Sequence, residues 1–287
     1  MFEDDEIIVG INIKENSNKK TSNKTNKKNK SQNVKKNSKV NKKVLHKRKV
    51  LKFFMLIVII IIASIILLSS SLFDLKNIYV EGNEKISDEA IISLSGLNLY
   101  ENIFKLNKNS VIDKIKENAY IENAEISRKL PSTIEITIKE RKVNYMLEYA
   151  NSYAYINNQG YILEITNEKL DLPILIGYDT DLSTTTPGNR MDIEDLKKMD
   201  TVIRIYETAK SNEIGNLITK INISDSKDYI LILDTEGKTV HLGECADLNT
   251  RILYLKSILE KTKGKNGEIF LNMDLNTDDA YFRPSGN

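Results

Sequence analysis

The sequence predicts an α+β protein: a disordered basic N-terminal arm, one transmembrane helix, a β-α-α-β-β unit, and a strand-rich α+β unit with an open C-terminal sheet edge. Three observations predict it. The charge is split, with fifteen Lys or Arg and no Asp or Glu from Ser17 to Lys52, but 26 basic and 35 acidic residues from Asp74 onward. One run of 21 uncharged residues, Phe53–Phe73, separates the two regions. Beyond it, short segments of strand or helix period succeed one another to the C-terminus.

The arm comes first. Met1–Ile13 is a short acidic and apolar tail, and residues 14–52 are Lys/Asn/Ser-rich without apolar periodicity. Such a segment buries too little apolar surface to offset its ordering entropy, so residues 1–52 are expected to be disordered. Residues 14–52 contain no Phe, Tyr or Trp on which bases could stack, so nucleic acid is not an expected partner. Lysines beside a membrane serve more simply as a topology signal and a contact for anionic lipid head groups.

The apolar run follows. Twenty-one residues of helix span about 30 Å, the thickness of a bilayer core. A buried core helix of that length would carry a polar face. A cleaved signal would have a shorter apolar segment and a shorter leader. The expectation is an uncleaved anchor over 53–73. The basic flank Val44–Lys52 keeps the N-terminus cytoplasmic, so residues from Asp74 onward are expected outside the membrane.

Outside, Leu75–Gly82 reads as a strand with Ile78 and Val80 inward. Ser87 can cap a short helix that Gly96 ends, and Val111, Ile112 and Ile115 mark a second helix. A strand over 121–130 precedes a turn at Pro131-Ser132. Next, Ile134, Ile136 and Ile138 alternate with Thr133, Glu135, Thr137 and Lys139, the period of a half-buried strand. Two helices over a three-stranded sheet are the simplest packing for this unit, residues 74–143.

The second unit, 144–287, is richer in strands. Asn151–Ile165 reads as a hairpin turning at Asn157–Gly160. Asp192 can cap a helix that turns Ile193, Leu196, Met199, Val202, Ile203 and Tyr206 to one side. Three strands then precede a helix with Leu248, Ile252, Leu255 and Leu259 at 4-3-4 spacing. Gly267–Leu275 and Asp279–Arg283 read as the last strands, the final one a natural sheet edge.

Reactive groups are sparse. Cys245 is the only cysteine and the two histidines are His46 and His241, so no intramolecular disulfide can form. No G-x-S-x-G, S-x-x-K or H-E-x-x-H pattern occurs beyond the anchor. The carboxylates and hydroxyls of Tyr178–Thr186 have no spacing that demands a nucleophile or metal, and read as a solvated loop. No catalytic residue, metal ligand or cofactor is therefore expected.

One stretch carries a resemblance. Arg128, Leu130, Pro131, Ile134, Ile136, Ile138, Glu140 and Arg141, with "INNQGYIL" (156–163), "LPILIG" (172–177) and "MDLN" (273–276), resemble the bacterial FtsQ/DivIB cell division family. The first outer unit then corresponds to that family's POTRA domain. Val143 stands where the family usually has proline, which points to a differently shaped junction.

The resemblance implies a non-catalytic scaffold at the division septum. It would join FtsL- and FtsB/DivIC-like proteins and help regulate septal peptidoglycan synthesis. The expected means is addition of a partner strand to the open edge. Asn276, Tyr281, Phe282 and Arg283 are the candidate contacts; the same side chains also read as those of an ordinary edge strand. Arg128, Pro131, Glu140 and Arg141 are expected to be structural, with a cross-strand charge pair fixing register. A POTRA-bearing assembly or secretion component, or a sporulation-specific paralogue, are the alternatives. The former would ordinarily carry several such units or lead into a barrel.

Overall fold

The structure is a computed structural model that describes residues 32–274 and 277–286, with the backbone alone for 32–46. Two compact units divide the chain, Met1–Ile65 and Ile66–Asn287.

Helix α1 (Gln32–Leu68) includes a segment, Lys47–Leu68, long and apolar enough to cross a membrane. It differs from expectation at both ends. The second half of the basic arm, expected to be disordered, is helical back to Gln32, because extending an existing helix costs far less than nucleating one. At the other end the helix stops at Leu68, and Ser71–Phe73 form a 3₁₀ turn.

Within Ile66–Asn287, β1 (Asn77–Glu81), α2 (Asp88–Ser95), α3 (Lys108–Lys116), β2 (Ile121–Lys129) and β3 (Thr133–Glu140) follow in the expected order. The sheet order is β1-β3-β2, with β1 parallel and β2 antiparallel to the central β3. Ser87 accepts from the Ala90 amide at the start of α2, and Gly96 ends that helix at φ 63°, in the left-handed region open to glycine. Ile134, Ile136 and Ile138 are buried with Ile91, Val111, Ile115 and Ile126. Each buried isoleucine contributes roughly 2–3 kcal/mol of apolar transfer.

Residues 141–144 lead into a nine-stranded sheet. Its strands are β4 (Tyr145–Tyr149), β5 (Ser152–Ile156), β6 (Ile162–Thr166), β7 (Ile174–Ile176), β8 (Lys220–Asn222), β9 (Tyr229–Leu233), β10 (Lys238–Gly243), β11 (Gly267–Phe270) and β12 (Tyr281–Pro284). Their order is β12-β11-β10-β9-β8-β7-β4-β5-β6. Helices α4 (Ile193–Ser211) and α5 (Leu248–Lys261) cross between parallel strand pairs, β7 with β8 and β10 with β11. Both pack on one face, where Met199, Val202, Leu248, Ile252, Leu255 and Leu259 meet Leu147, Ile221, Leu231, Val240 and Ile269. On the other face a smaller cluster joins Met146, Tyr155 and Ile174.

Within α4 the expected inward set needs correction. Asp192 caps the helix as expected, but Ile193 is 62% exposed and Asp195 is fully buried. The Asp195 carboxylate accepts from the amides of Asp179 and Thr180 (2.8–2.9 Å) and from the Thr180 hydroxyl (2.6 Å), with Lys198 Nζ at 3.6 Å. Part of the Tyr178–Thr186 loop, read from sequence as solvated, is thus tied down by a buried charge.

Candidate functional site

Among the described residues, strand β12 pairs only with β11 and ends the sheet. Its geometry decides what this edge can offer. Gly267 lies opposite Pro284 and Ile269 opposite Phe282. One pair further on, the Ser285 amide donates to the Asn266 carbonyl at 3.0 Å. Hydrogen-bonded and non-hydrogen-bonded pairs alternate in an antiparallel ladder. Arg283 and Tyr281 therefore direct their backbone groups to β11, while Phe282 and Pro284 direct theirs outward. The open side of the strand offers the Phe282 N–H and the Phe282 and Pro284 carbonyls; Pro284 has no N–H to offer.

The candidate side chains divide between the two faces. Phe282 is half-buried on the helix side and packs against the main core. Its ring lies where a Cβ on Gly267 would stand, 2.7 Å from that position, so the bare glycine makes room for it. Tyr281 and Arg283 project from the opposite face. There His241, Phe270 and Tyr281, in register on three neighbouring strands, form a stack with centroid separations of 4.8 and 4.9 Å. The Arg283 guanidinium lies 4.8 Å from the centre of the Phe270 ring and pairs with Glu268. The base of the stack is held by Asp228, whose carboxylate meets His241 Nδ1 at 2.9 Å and accepts from the Gly243 amide. Asn276 lies outside the described residues. The registers that build this stack join residues 29 and 11 positions apart on separate strands, so sequence periodicity had no signal for it.

The signature residues gather elsewhere, and not as the expected charge pair. Arg128 donates to the carbonyls of Ile103 and Leu106 at 2.6 and 2.8 Å. Glu140 accepts from the amides of Lys85 and Ile86 at 2.8 and 2.9 Å. Arg141 donates to the carbonyls of Ala119 and Ile121, both at 2.7 Å. All three satisfy main-chain groups of loops and strand ends that register alone would leave unpaired. Pro131 sits exposed in the β2–β3 turn.

Around them a second constellation joins β6 to the first three-stranded unit. Glu164 accepts from the Tyr120 hydroxyl at 2.6 Å and pairs with Lys85 at 3.0 Å. Lys85 Nζ also lies 3.9 Å from the centre of the Tyr120 ring, and Arg141 lies 4.2 Å from that of Tyr161. Burial and the Glu164 charge push the Tyr120 hydroxyl up, so it stays protonated and keeps donating. The hydrogen bonds from Tyr120 and Lys85 hold the Glu164 carboxyl below its ordinary range.

Cys245 is buried, and burial pushes its thiol up to about 11, which leaves little thiolate at neutral pH. Among the described residues, no group of three or more His, Cys, Asp or Glu is placed to hold a metal ion.

Comparison with known proteins follows the same division. Residues 73–141 match the model of the FtsQ-type POTRA domain, and residues 146–276 that of the FtsQ/DivIB C-terminal region. The cell division protein DivIB of Clostridium tetani is 30% identical over 231 residues, covering 73% of this chain and 79% of the relative. DivIB of Clostridium acetobutylicum is 32% identical over 162 residues, 56% of this chain and 59% of the relative. FtsQ of Syntrophotalea carbinolica is 25% identical over 205 residues, 70% of each. With an FtsQ-type POTRA fold, a strand-rich second fold and one helix fit to cross a membrane, the chain belongs to the FtsQ/DivIB family of cell division proteins.

Proposed function

We propose that this chain is a non-catalytic, single-pass scaffold of the division apparatus. Its N-terminus is cytoplasmic, and its outer domains work at the septum. There it links FtsL- and FtsB/DivIC-like proteins and helps regulate septal peptidoglycan synthesis. The basic arm contacts anionic lipid on the inner face. Domain bounds of 1–52, 53–73, 74–143 and 144–287 serve this reading. The observation that carries it is the free side of β12 at the end of a nine-stranded sheet. An exposed edge is a template for another strand and is ordinarily covered or blunted. A partner strand added there would bond to Phe282 on both its N–H and its carbonyl.

The test separates backbone from side chain. Phe282→Ala keeps the outward N–H and should retain most capture of an FtsB/DivIC-like partner in a pull-down. Phe282→Pro removes it and should lose capture. Equal capture by two folded variants would overturn strand addition at β12.

A further inference from the structure

The loop between α2 and α3 is built around the point where α1 ends. Asn102, only 8% exposed, donates from its side-chain amide to the Leu68 carbonyl at 2.8 Å. That carbonyl belongs to the last turn of α1 and has no partner within the helix. The main chain repeats the connection: the Ile103 amide donates to Phe73, the Leu75 amide to Glu101, and the Tyr100 amide to Leu75, at 2.8–2.9 Å. A shallow cleft lined by Ser69, Asp74, Tyr100, Glu101, Asn102 and Lys105 marks the same place.

This loop presents apolar side chains outward. Tyr100 is 76% exposed, Leu99 50%, Phe104 38%, and Leu72 on the adjoining turn 52%. Tyr100 holds φ 70°, the left-handed region that disfavours a bulky residue. The fold thus keeps a strained backbone where an aromatic ring stands free of its own core. Charge at the site is mixed, with Asp74 and Glu101 against Lys105.

Distances to the membrane follow from helix length. From Phe53 to Leu68, α1 supplies sixteen uncharged residues, about 24 Å of helix against a hydrocarbon core of about 30 Å. The residues just past Leu68 therefore stay close to the acyl boundary. Leu72 is four residues on, and the turns that bond Ser70 back to Leu67 and Phe73 back to Ser70 keep it short of the roughly 14 Å of a fully extended chain, near the headgroup layer. Amphipathic rings such as tyrosine are favoured at that depth.

We propose that the Leu97–Leu106 loop, together with Leu72, forms a second lipid contact: an interfacial apolar foot that seats the POTRA domain on the membrane face from which α1 emerges. The occupant is the bilayer interface itself, because the patch is continuous in chain and hydrogen bonding with the end of the span. The mixed charge makes this contact apolar rather than electrostatic, so it does not require anionic lipid. The proposal rests on α1 crossing the bilayer.

The chain has no tryptophan, so single substitutions report on depth. The full chain, reconstituted in zwitterionic phosphatidylcholine nanodiscs with brominated acyl chains, is compared as Tyr100→Trp, Ile60→Trp and Tyr254→Trp. Tyr100→Trp should emit at shorter wavelength than Tyr254→Trp and lose most of its emission to bromines near the headgroups. Ile60→Trp should be quenched by bromines near the chain ends. Quenching of Ile60→Trp with none of Tyr100→Trp would overturn the foot alone. Failure to quench Ile60→Trp would overturn the span and the foot together.

Discussion

The two ends of the nine-stranded sheet are treated in opposite ways. At the β6 end, Ile162 exchanges main-chain bonds with Gly188 and Asn189, and Tyr161 forms a bridge with Arg190. Glu164 is engaged by Tyr120 and Lys85, and Arg141 lies over Tyr161. At the β12 end, among the described residues, no further strand is paired. One edge is thus closed by the protein's own chain and the other is left to solvent. An open edge is an aggregation hazard that folds ordinarily cover or blunt, so the two ends make a direct test of the proposed strand addition.

If that contrast is correct, substitutions at the closed end should cost stability, and substitutions at the open end should barely touch it. The largest effect belongs to Asp195. The loop that covers β6 is anchored by the Thr180 hydroxyl, which accepts from the Asp192 amide and donates to Asp195. Asp195→Ala leaves the Asp179 and Thr180 amides and the Thr180 hydroxyl without their acceptor, while Lys198 keeps its pair with Asp179. The expected cost is about 3–5 kcal/mol, read as a lowered urea midpoint with unchanged m-value.

Smaller is Tyr120→Phe, which removes the hydroxyl's bond to Glu164 and the bond it accepts from Lys85, and should cost about 1.5–3 kcal/mol. It also has a pH signature. The Glu164 carboxyl is held below its ordinary 4.5, first by the Tyr120 hydroxyl and then by Lys85. A depressed folded value means its contribution is full above about pH 4.5 and is lost as pH falls through the folded value. Without the hydroxyl the Glu164 titration should move upward, visible in a carboxyl-detected NMR titration. An unmoved titration would show that the closed end does not depend on this contact.

The smallest effect is expected at the open end. Arg283→Ala breaks an exposed pair with Glu268 and a contact with the Phe270 ring, and should lower stability by no more than about 1 kcal/mol in denaturant melts. A larger loss would mean that β12 is held chiefly by side chains on its outer face, weakening its reading as a free template.

What could be read from sequence follows from which interactions are local. Ile134, Ile136 and Ile138 announced themselves because β3 has one buried face, and period two is then forced. Ser87, Gly96 and Asp192 were legible because caps act within three residues. Strand β4 was missed because it is buried on both faces: Tyr145 and Leu147 join the helix-side core and Met146 the opposite cluster, so nothing alternates. Asp195 was unreadable because its partners lie fifteen or sixteen residues back. Glu140 and Arg141 stood out as charges but serve main-chain groups up to 55 residues away. At the candidate site, the final strand's position as an edge was expected. The split of Tyr281 and Phe282 between faces, and which of them turns its backbone outward, required the register.

Pro284 bears on concentration. An edge strand whose every outward position can donate and accept will accept a second copy of itself, and then a third. Here the run of outward donors stops at Phe282, since the next outward residue is proline. The edge accommodates one short guest strand but gives no continuous track for like chains to stack along. Crowding many copies at one place should therefore not seed fibres from β12.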